Sequence, residues 1–342
     1  MNRLRRLSCF LCLISLQAHA EEKFLTFEVR ASEVDSRARE HPEIGYVFGT
    51  KEKPQDIQTA CVDTRVPSKG QLVIWLMAPS QPLFERTTSY GLHSIQVHYA
   101  RAWFGTLYGG STPPDDDLFL SKVRLEAATG EDFSKAIDIP KPDGMMERAL
   151  QFVLWLDKKN PEGKWGQFIA PNGKELIWDK VIIAGSSHGS TTAARFAKHK
   201  KVARVVMFAG PRDQYDMWQQ LPSATPPERY LGFSHVLDQG WKEDHYSRSW
   251  QLLGLQKFGP VLNIDTSVPP YQNSRRLISD ADVGSNPDHA HNSVIPGSRS
   301  PKDKQGKFLY EEVWRYLFTH PVDQVGKAVP VDPHVRMNQR TR

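Results

Sequence analysis

Cysteine is scarce in this chain, with three cysteines among 342 residues. Cys9 and Cys12 lie in an N-terminal segment that we expect to be removed, which leaves Cys61 alone. A single thiol cannot form an internal disulfide, so the folded chain must rely on its core for stability. We therefore interpret Cys61 as a buried, unreactive thiol in preference to a catalytic cysteine.

The sequence also lacks a hydrophobic segment typical of a stable membrane anchor at its N-terminus. The apolar stretch at residues 9–16 is too short to remain across a bilayer. Three arginines precede it, and an A-x-A cleavage pattern follows at residues 18–20. Residues 1–20 are therefore predicted to be a cleavable signal peptide, and the mature protein is predicted to be secreted or periplasmic.

A strong excess of one charge sign is likewise missing. The chain has 44 basic and 39 acidic side chains, a formal net charge of +5. Removing the signal peptide takes away three arginines and no acid, which lowers the charge to +2. No basic stripe is interleaved with aromatic residues, so we expect no nucleic-acid partner.

Short apolar runs instead indicate the fold class. Buried strands are predicted at residues 71–78, 181–184, 202–209, 230–237 and 275–279, with further strands at residues 24–29 and 92–99. They alternate with helices predicted at residues 143–160, 190–198, 241–258 and 310–318. This alternation is typical of an α/β fold with a mostly parallel sheet covered on both faces. We predict one domain over residues 21–322, followed by a flexible tail at residues 323–342.

Between these elements, the sequence predicts turns and loops. Asn172-Gly173 indicates a hairpin within residues 165–178. Residues 105–118, rich in glycine, proline and aspartate, are interpreted as a mobile surface loop and a possible lid. Residues 284–292 are predicted to be a loop that carries His289 and His291.

The chemistry is centred on residues 185–189, which read Gly-Ser-Ser-His-Gly. A buried strand precedes this G-x-S-x-G motif and a helix of small residues follows it, the context required of a nucleophile elbow. We expect the glycines to let the backbone turn sharply, with Ser187 at the apex. A serine nucleophile needs a histidine base, an orienting carboxylate and amide donors for the oxyanion.

The motif and the order serine, acid, histidine make the chain resemble the α/β-hydrolase superfamily over residues 71–318, and in particular exported bacterial members. The resemblance implies an α/β-hydrolase fold with its acid after the second strand beyond the elbow, at Asp238. Some members take the acid one strand earlier, which leaves Asp213 as the alternative. The base is expected before the terminal helix, where His291 is favoured over His289.

The resemblance also implies an oxyanion hole. The backbone N–H of His188, directly after the nucleophile, is the expected first donor. The loop after residue 77 departs from the His-Gly pattern of many lipases. Because Pro79 and Pro82 have no N–H, the second donor is expected at Ser80 or Gln81.

We therefore predict a serine hydrolase that cleaves small-molecule or polymeric carboxylic esters and needs no cofactor or metal. A non-catalytic binding protein on the same fold is one alternative. A metallohydrolase is another, because His289 and His291 would face the same side of a strand. The sequence does not indicate the oligomeric state or the particular ester.

Overall fold

A computed structural model describes residues 23–108, 116–213 and 215–335 of the chain. The predicted signal peptide and residues 109–115 of the predicted loop lie outside these ranges. Within them, no helix combines the length and apolar character needed to cross a membrane. Cys61 is fully buried, and burial raises the pKa of its thiol to about 11.

A nine-stranded sheet organises the described part of the chain. Its strands are β1 (Phe24–Arg30), β2 (Ile57–Asp63), β3 (Leu72–Trp75), β4 (His93–Gln96), β5 (Val181–Ser186), β6 (Arg204–Phe208), β7 (Tyr230–His235), β8 (Val261–Asn263) and β9 (Arg276–Ser279). Their order across the sheet is β1-β2-β4-β3-β5-β6-β7-β9-β8. Only β1–β2 and β2–β4 pair antiparallel, whereas the six other neighbouring pairs are parallel. The predicted mostly parallel sheet is thus confirmed.

Helices cover both faces of this sheet. They are α1 (Ala31–Val34), α2 (Gln81–Ser89), α3 (Trp103–Tyr108), α4 (Phe119–Thr129), α5 (Met145–Lys159), α6 (His188–His199), α7 (His245–Leu252), α8 (Pro287–Ser293) and α9 (Glu311–Thr319). Short 3₁₀ segments join several of them.

Alternation along the central strands divides the core into two layers. In β3, Leu72 and Ile74 pack into the layer that includes α5 and α6. Their neighbours Val73 and Trp75 pack into the layer that includes α2 and α9. Because successive side chains of a strand point to opposite faces, a strand between two helical layers must be apolar throughout. This is why the central strands could be predicted from continuous apolar runs.

Several elements differ from the sequence-based expectation. The predicted hairpin at residues 165–178 is reduced to a single antiparallel bridge between Ile169 and Leu176 around the Asn172-Gly173 turn, with a 3₁₀ segment on either side. The predicted helix at 241–258 is divided into α7 and two flanking 3₁₀ segments, Gln239–Asp244 and Leu255–Phe258; α7 ends at Leu252, and Gly254, with a φ of 81°, precedes the second segment. The predicted loop at 284–292 contains the helix α8, and the loop at 105–118 begins with the end of α3.

Residues 320–335, the described part of the segment after α9, have no helix or strand, but they are hydrogen-bonded to the domain. The N–H of Gly326 donates to the carbonyl of Asn273 at 3.0 Å. Further along, the N–H of Asp332 donates to the side chain of Gln251 at 2.8 Å. Residues 326–332 therefore lie against the body of the protein.

Candidate active site

Ser187 lies at a sharp turn between β5 and α6. Its backbone has φ 52° and ψ −119°, a conformation that costs a non-glycine residue free energy. The turn is therefore made by the serine itself, not by the flanking glycines as expected from the sequence. Gly185 and Gly189 instead provide space. A Cβ at Gly185 would lie 2.3 Å from the backbone carbon of Gly189, and one at Gly189 would lie 2.7 Å from the carbonyl oxygen of Leu76.

His291 and Asp238 meet at the carboxyl edge of the sheet. Nδ1 of His291 lies 2.6 Å from Oδ2 of Asp238. The carboxylate is buried, whereas the imidazole is 25% exposed. Because Nδ1 faces the acid, the other ring nitrogen, Nε2, is the one that can exchange a proton with a substrate or a nucleophile.

Two further donors hold the Asp238 carboxylate. The N–H of Gly240 donates to Oδ1 at 2.8 Å, and the hydroxyl of Tyr246 donates to Oδ2 at 2.9 Å. Burial, together with the charge of Asp238, raises the pKa of Tyr246 well above its usual value. The tyrosine therefore stays protonated and can only donate to this carboxylate. No local sequence signal linked Tyr246 to Asp238.

A buried histidine, His235, connects the loops that carry the two residues. Its Nδ1 accepts the N–H of Leu237 at 3.1 Å, which leaves the hydrogen on Nε2 to donate to the carbonyl of Ala281 at 2.8 Å. Leu237 directly precedes Asp238, and Ala281 lies in the segment that leads to α8. The imidazole thus joins the loop that carries Asp238 to the segment that leads to His291.

Asp213, the alternative acid, has a different set of partners. Its Oδ2 and Oδ1 accept the Nε and Nη2 of Arg124 at 3.0 and 3.1 Å, and Trp218 donates to Oδ2 at 3.2 Å. The side chains of Arg124 and Asp213 are 1% and 2% exposed. Asp213 is thereby the counterion of a buried arginine, and it is Asp238 that contacts His291.

Arg124 also fixes the residue that follows Ser187. Its Nη1 donates to Nδ1 of His188 at 3.0 Å and contacts the His188 carbonyl at 3.3 Å. Since an arginine only donates, Nδ1 must accept and the ring hydrogen of neutral His188 lies on Nε2. Burial, reinforced by Arg124 and Arg101, lowers the pKa of His188 well below its usual value. The neutral side chain is thus held in one tautomer, and its role as a base is blocked.

Two clefts meet at Ser187 and His291, which line both of them. The narrow cleft, of about 240 Å³, also includes Phe104, Arg124, His188, Ala209, Arg212, Asp238, Gln239, Tyr246, Pro287 and Asp288. The wide cleft, of about 560 Å³, also includes Trp75, Met77, Ala78, Ser80, Ser186, Asn292, Ile295, Pro296, Gly297, Ser298 and Arg299. When the scissile bond of a substrate lies at Ser187, the groups on the two sides of that bond would occupy one cleft each.

The loop after β3 lies beside the elbow. Ser80 lines the wide cleft, whereas Gln81 is exposed at the start of α2 and its side chain contacts Glu85 at 3.4 Å. Met77 lines the same cleft, and its side chain would lie 2.9 Å from a Cβ at Gly189. The carbonyl oxygen of Leu76, in the peptide bond to Met77, would lie 2.7 Å from the same Cβ, so the N–H of Met77 is a candidate oxyanion donor that the sequence did not indicate.

The helical conformation of α8 changes the interpretation of its two histidines. Residues two apart on a helix are about 200° apart around its axis, so His289 and His291 point in different directions. The shared side that a strand would provide is lost. Within residues 23–108, 116–213 and 215–335, no group of three or more metal-ligating side chains is found.

The chain matches no protein-family model and no curated protein. Solved structures similar to it include an alpha/beta hydrolase enzyme from a Medee basin deep-sea metagenome library, at 11% identity and a TM-score of 0.30, over 64% of this chain and 72% of that one. Another is TT1662 from Thermus thermophilus, at 13% identity and a TM-score of 0.30, over 66% and 83% of the two chains. The described sheet is mostly parallel, lies between two helical layers and contains the strand–serine–helix turn, which together form an α/β fold.

Proposed function

We propose that this chain is an exported serine hydrolase that cleaves carboxylic esters through Ser187, His291 and Asp238. The observation that carries the proposal is the 2.6 Å contact between His291 and Asp238 at a cleft that also contains the strained Ser187. Strained backbone conformations cluster at active sites, where the surrounding fold maintains them.

In the proposed reaction, Oγ of Ser187 attacks the ester carbonyl and its proton passes to Nε2 of His291. Asp238 keeps the hydrogen on Nδ1 and stabilises the imidazolium. The imidazolium then protonates the departing alcohol, which leaves an acyl group on Ser187. Water, deprotonated by His291, hydrolyses that acyl-enzyme and restores the serine.

Negative charge that develops on the carbonyl oxygen needs donors close to Ser187. His188 is the first residue of α6, so its N–H has no acceptor within the helix and lies at the positive end of the helix dipole. We propose this N–H as one oxyanion donor. The second would come from the loop that includes Met77 and Ser80.

A fluorophosphonate probe tests the nucleophile directly. We expect labelling of the wild type at the peptide that contains Ser187, and loss of labelling and of p-nitrophenyl ester turnover in Ser187→Ala. Ser89→Ala, at an exposed serine in the last turn of α2, is the matched control and should retain both. Labelling of Ser187→Ala equal to that of the wild type would contradict the proposal.

The same experiment bears on the two alternatives. Absence of labelling together with absence of turnover over a range of acyl lengths would favour a non-catalytic binding protein. Turnover that persists in Ser187→Ala but is lost in a chelator would favour a metal-dependent hydrolase.

A further inference from the structure

The charged side chains of the narrow cleft are not all paired. Four of them line it, namely Arg124, Arg212, Asp238 and Asp288. Arg124 and Asp238 are bound to the partners described above. In the part of the chain that the structure describes, no ion pair within 4.0 Å involves Arg212. The cleft therefore contains an exposed guanidinium that is available to a ligand.

The backbone of Arg212 is fixed relative to the candidate nucleophile. The N–H of Arg212 donates to Oγ1 of Thr191 at 3.1 Å, and the Thr191 hydroxyl lies 3.0 Å from the carbonyl oxygen of Arg212. The same hydroxyl lies 3.1 Å from the carbonyl oxygen of Ser187. One threonine on the first turn of α6 thus connects the two residues, so the arginine projects from a defined position next to the elbow.

The charge of Arg212 acts inside the cleft. It opposes the increase in the pKa of Tyr246, the buried tyrosine that binds Asp238. Apolar surface from Phe104, Ala209 and Pro287 lines the same space. A short carbon chain that ends in a carboxylate would contact this apolar surface with its methylene groups and Arg212 with its charged end. A guanidinium suits that end because it presents two parallel N–H groups to a carboxylate.

We propose that the narrow cleft selects esters that carry a carboxylate, and that Arg212 binds this carboxylate. This inference rests on the proposed function of Ser187. The carboxylate can belong to the acyl part, as in a half-ester of a dicarboxylic acid, or to the alcohol part. Both sources present the same chemistry to Arg212, and matched substrates distinguish them.

Two substrate pairs test the proposal. 4-Nitrophenyl hemiglutarate and 4-nitrophenyl hexanoate place or omit a carboxylate at the end of the acyl chain. 4-Acetoxybenzoate and its methyl ester place or omit it on the leaving group. For the pair whose charged member places its carboxylate in the narrow cleft, we expect the wild type to have a higher kcat/KM for that charged member. Arg212→Gln should reduce that ratio by about five- to tenfold, and Arg212→Glu should reduce it further.

Two neighbouring variants make the assignment specific. Asp288 is an exposed carboxylate of the same cleft, so Asp288→Asn should increase the preference for the charged ester. Arg299 lines only the wide cleft, and Arg299→Gln should leave the ratio unchanged. A ratio that depends on Arg299 and not on Arg212 would overturn the proposal.

The remaining outcomes separate this inference from the proposed function. Equal kcat/KM for charged and neutral members in the wild type and in Arg212→Gln would overturn the inference and leave the esterase intact. No turnover of any of the four esters, with no fluorophosphonate labelling, would overturn the proposed function and this inference with it.

Discussion

Replacing Asp238 and Asp213 in turn by asparagine should separate the loss of catalysis from the loss of stability. The two aspartates follow neighbouring strands, but Asp238 contacts His291 whereas Asp213 contacts Arg124. The same chemical change therefore has different consequences at the two positions.

In Asp238→Asn, the new amide group can donate to Nδ1 of His291. The ring hydrogen then lies on Nε2, where it prevents the imidazole from accepting the proton of Ser187. We expect kcat to fall by about 10⁴-fold, the effect of the equivalent change in serine proteases. The free energy of unfolding should fall by only about 1 to 2 kcal/mol, because the asparagine oxygen can still accept the N–H of Gly240.

In Asp213→Asn, the guanidinium of Arg124 stays in a site where it is 1% exposed, without its counterion. Removing one partner of a buried ion pair typically costs about 3–5 kcal/mol. At roughly 2 °C per kcal/mol, Tm should fall by at least about 6 °C. Folded Asp213→Asn should keep kcat within about tenfold of the wild type, because His291 still contacts Asp238.

Thermal unfolding followed by circular dichroism gives Tm. The maximal rate of ester turnover divided by the concentration of folded protein gives kcat. A loss of 10³-fold or more in kcat for Asp213→Asn, with Asp238→Asn still active, would refute these two roles. A Tm of Asp213→Asn equal to that of the wild type would refute the structural role of Asp213, because the buried ion pair would then contribute nothing.

Three further predictions concern single positions. Tyr246→Phe removes a donor to Asp238 and should lower kcat by roughly tenfold with little change in KM. Tyr230→Phe removes a hydroxyl bonded to Ser223 and should leave both constants unchanged, so equal effects of the two changes would contradict a positioning role for Tyr246. Gly185→Ala places a Cβ 2.3 Å from the backbone of Gly189, so it should abolish fluorophosphonate labelling and lower Tm. A fully labelled variant would show that the backbone at Ser187 can shift to make room for the methyl group. Burial, with Arg148 nearby, lowers the pKa of His98 to about 3. Because the unfolded chain takes up that proton near pH 6.5, stability should fall as the pH decreases from about 6.5 toward 3, and the decrease in Tm between pH 7 and pH 4.5 should be smaller in His98→Gln.

The central part of the fold could be predicted because its strands are apolar on both faces. β2 was missed because Gln58, Thr59 and Asp63 interrupt its apolar pattern, although all three are buried by neighbouring elements. Burial of polar side chains in β2 depends on tertiary contacts, which a local pattern does not contain.

Two short helices were missed although the sequence contains their start signals. Asn286 caps α8 by accepting the N–H of Asp288 at 2.9 Å, and Pro287 occupies its first turn. At α2, Ser80 is the N-cap and Pro82 lies in the first turn. Proline is favoured at these positions, but we interpreted both segments as turns or loops.

The candidate site could be predicted as far as chain order allows. A parallel sheet brings the ends of its strands to one edge, so the neighbourhood of Ser187, Asp238 and His291 followed from topology. The contacts of Arg124 and Tyr246 did not, because each lies on a helix that meets the site from outside the sheet. Their roles depend on side-chain direction in three dimensions.

The backbone of Ser187 has a consequence for how this protein can be improved. Its φ of 52° and ψ of −119° penalise every residue with a Cβ, and glycine least. Ser187→Gly should therefore unfold at a higher temperature than Ser187→Ala, although neither has a hydroxyl to react. The strained backbone that presents Oγ of Ser187 therefore lowers the thermal stability of the chain. Selection for heat resistance alone would tend to replace this serine with glycine.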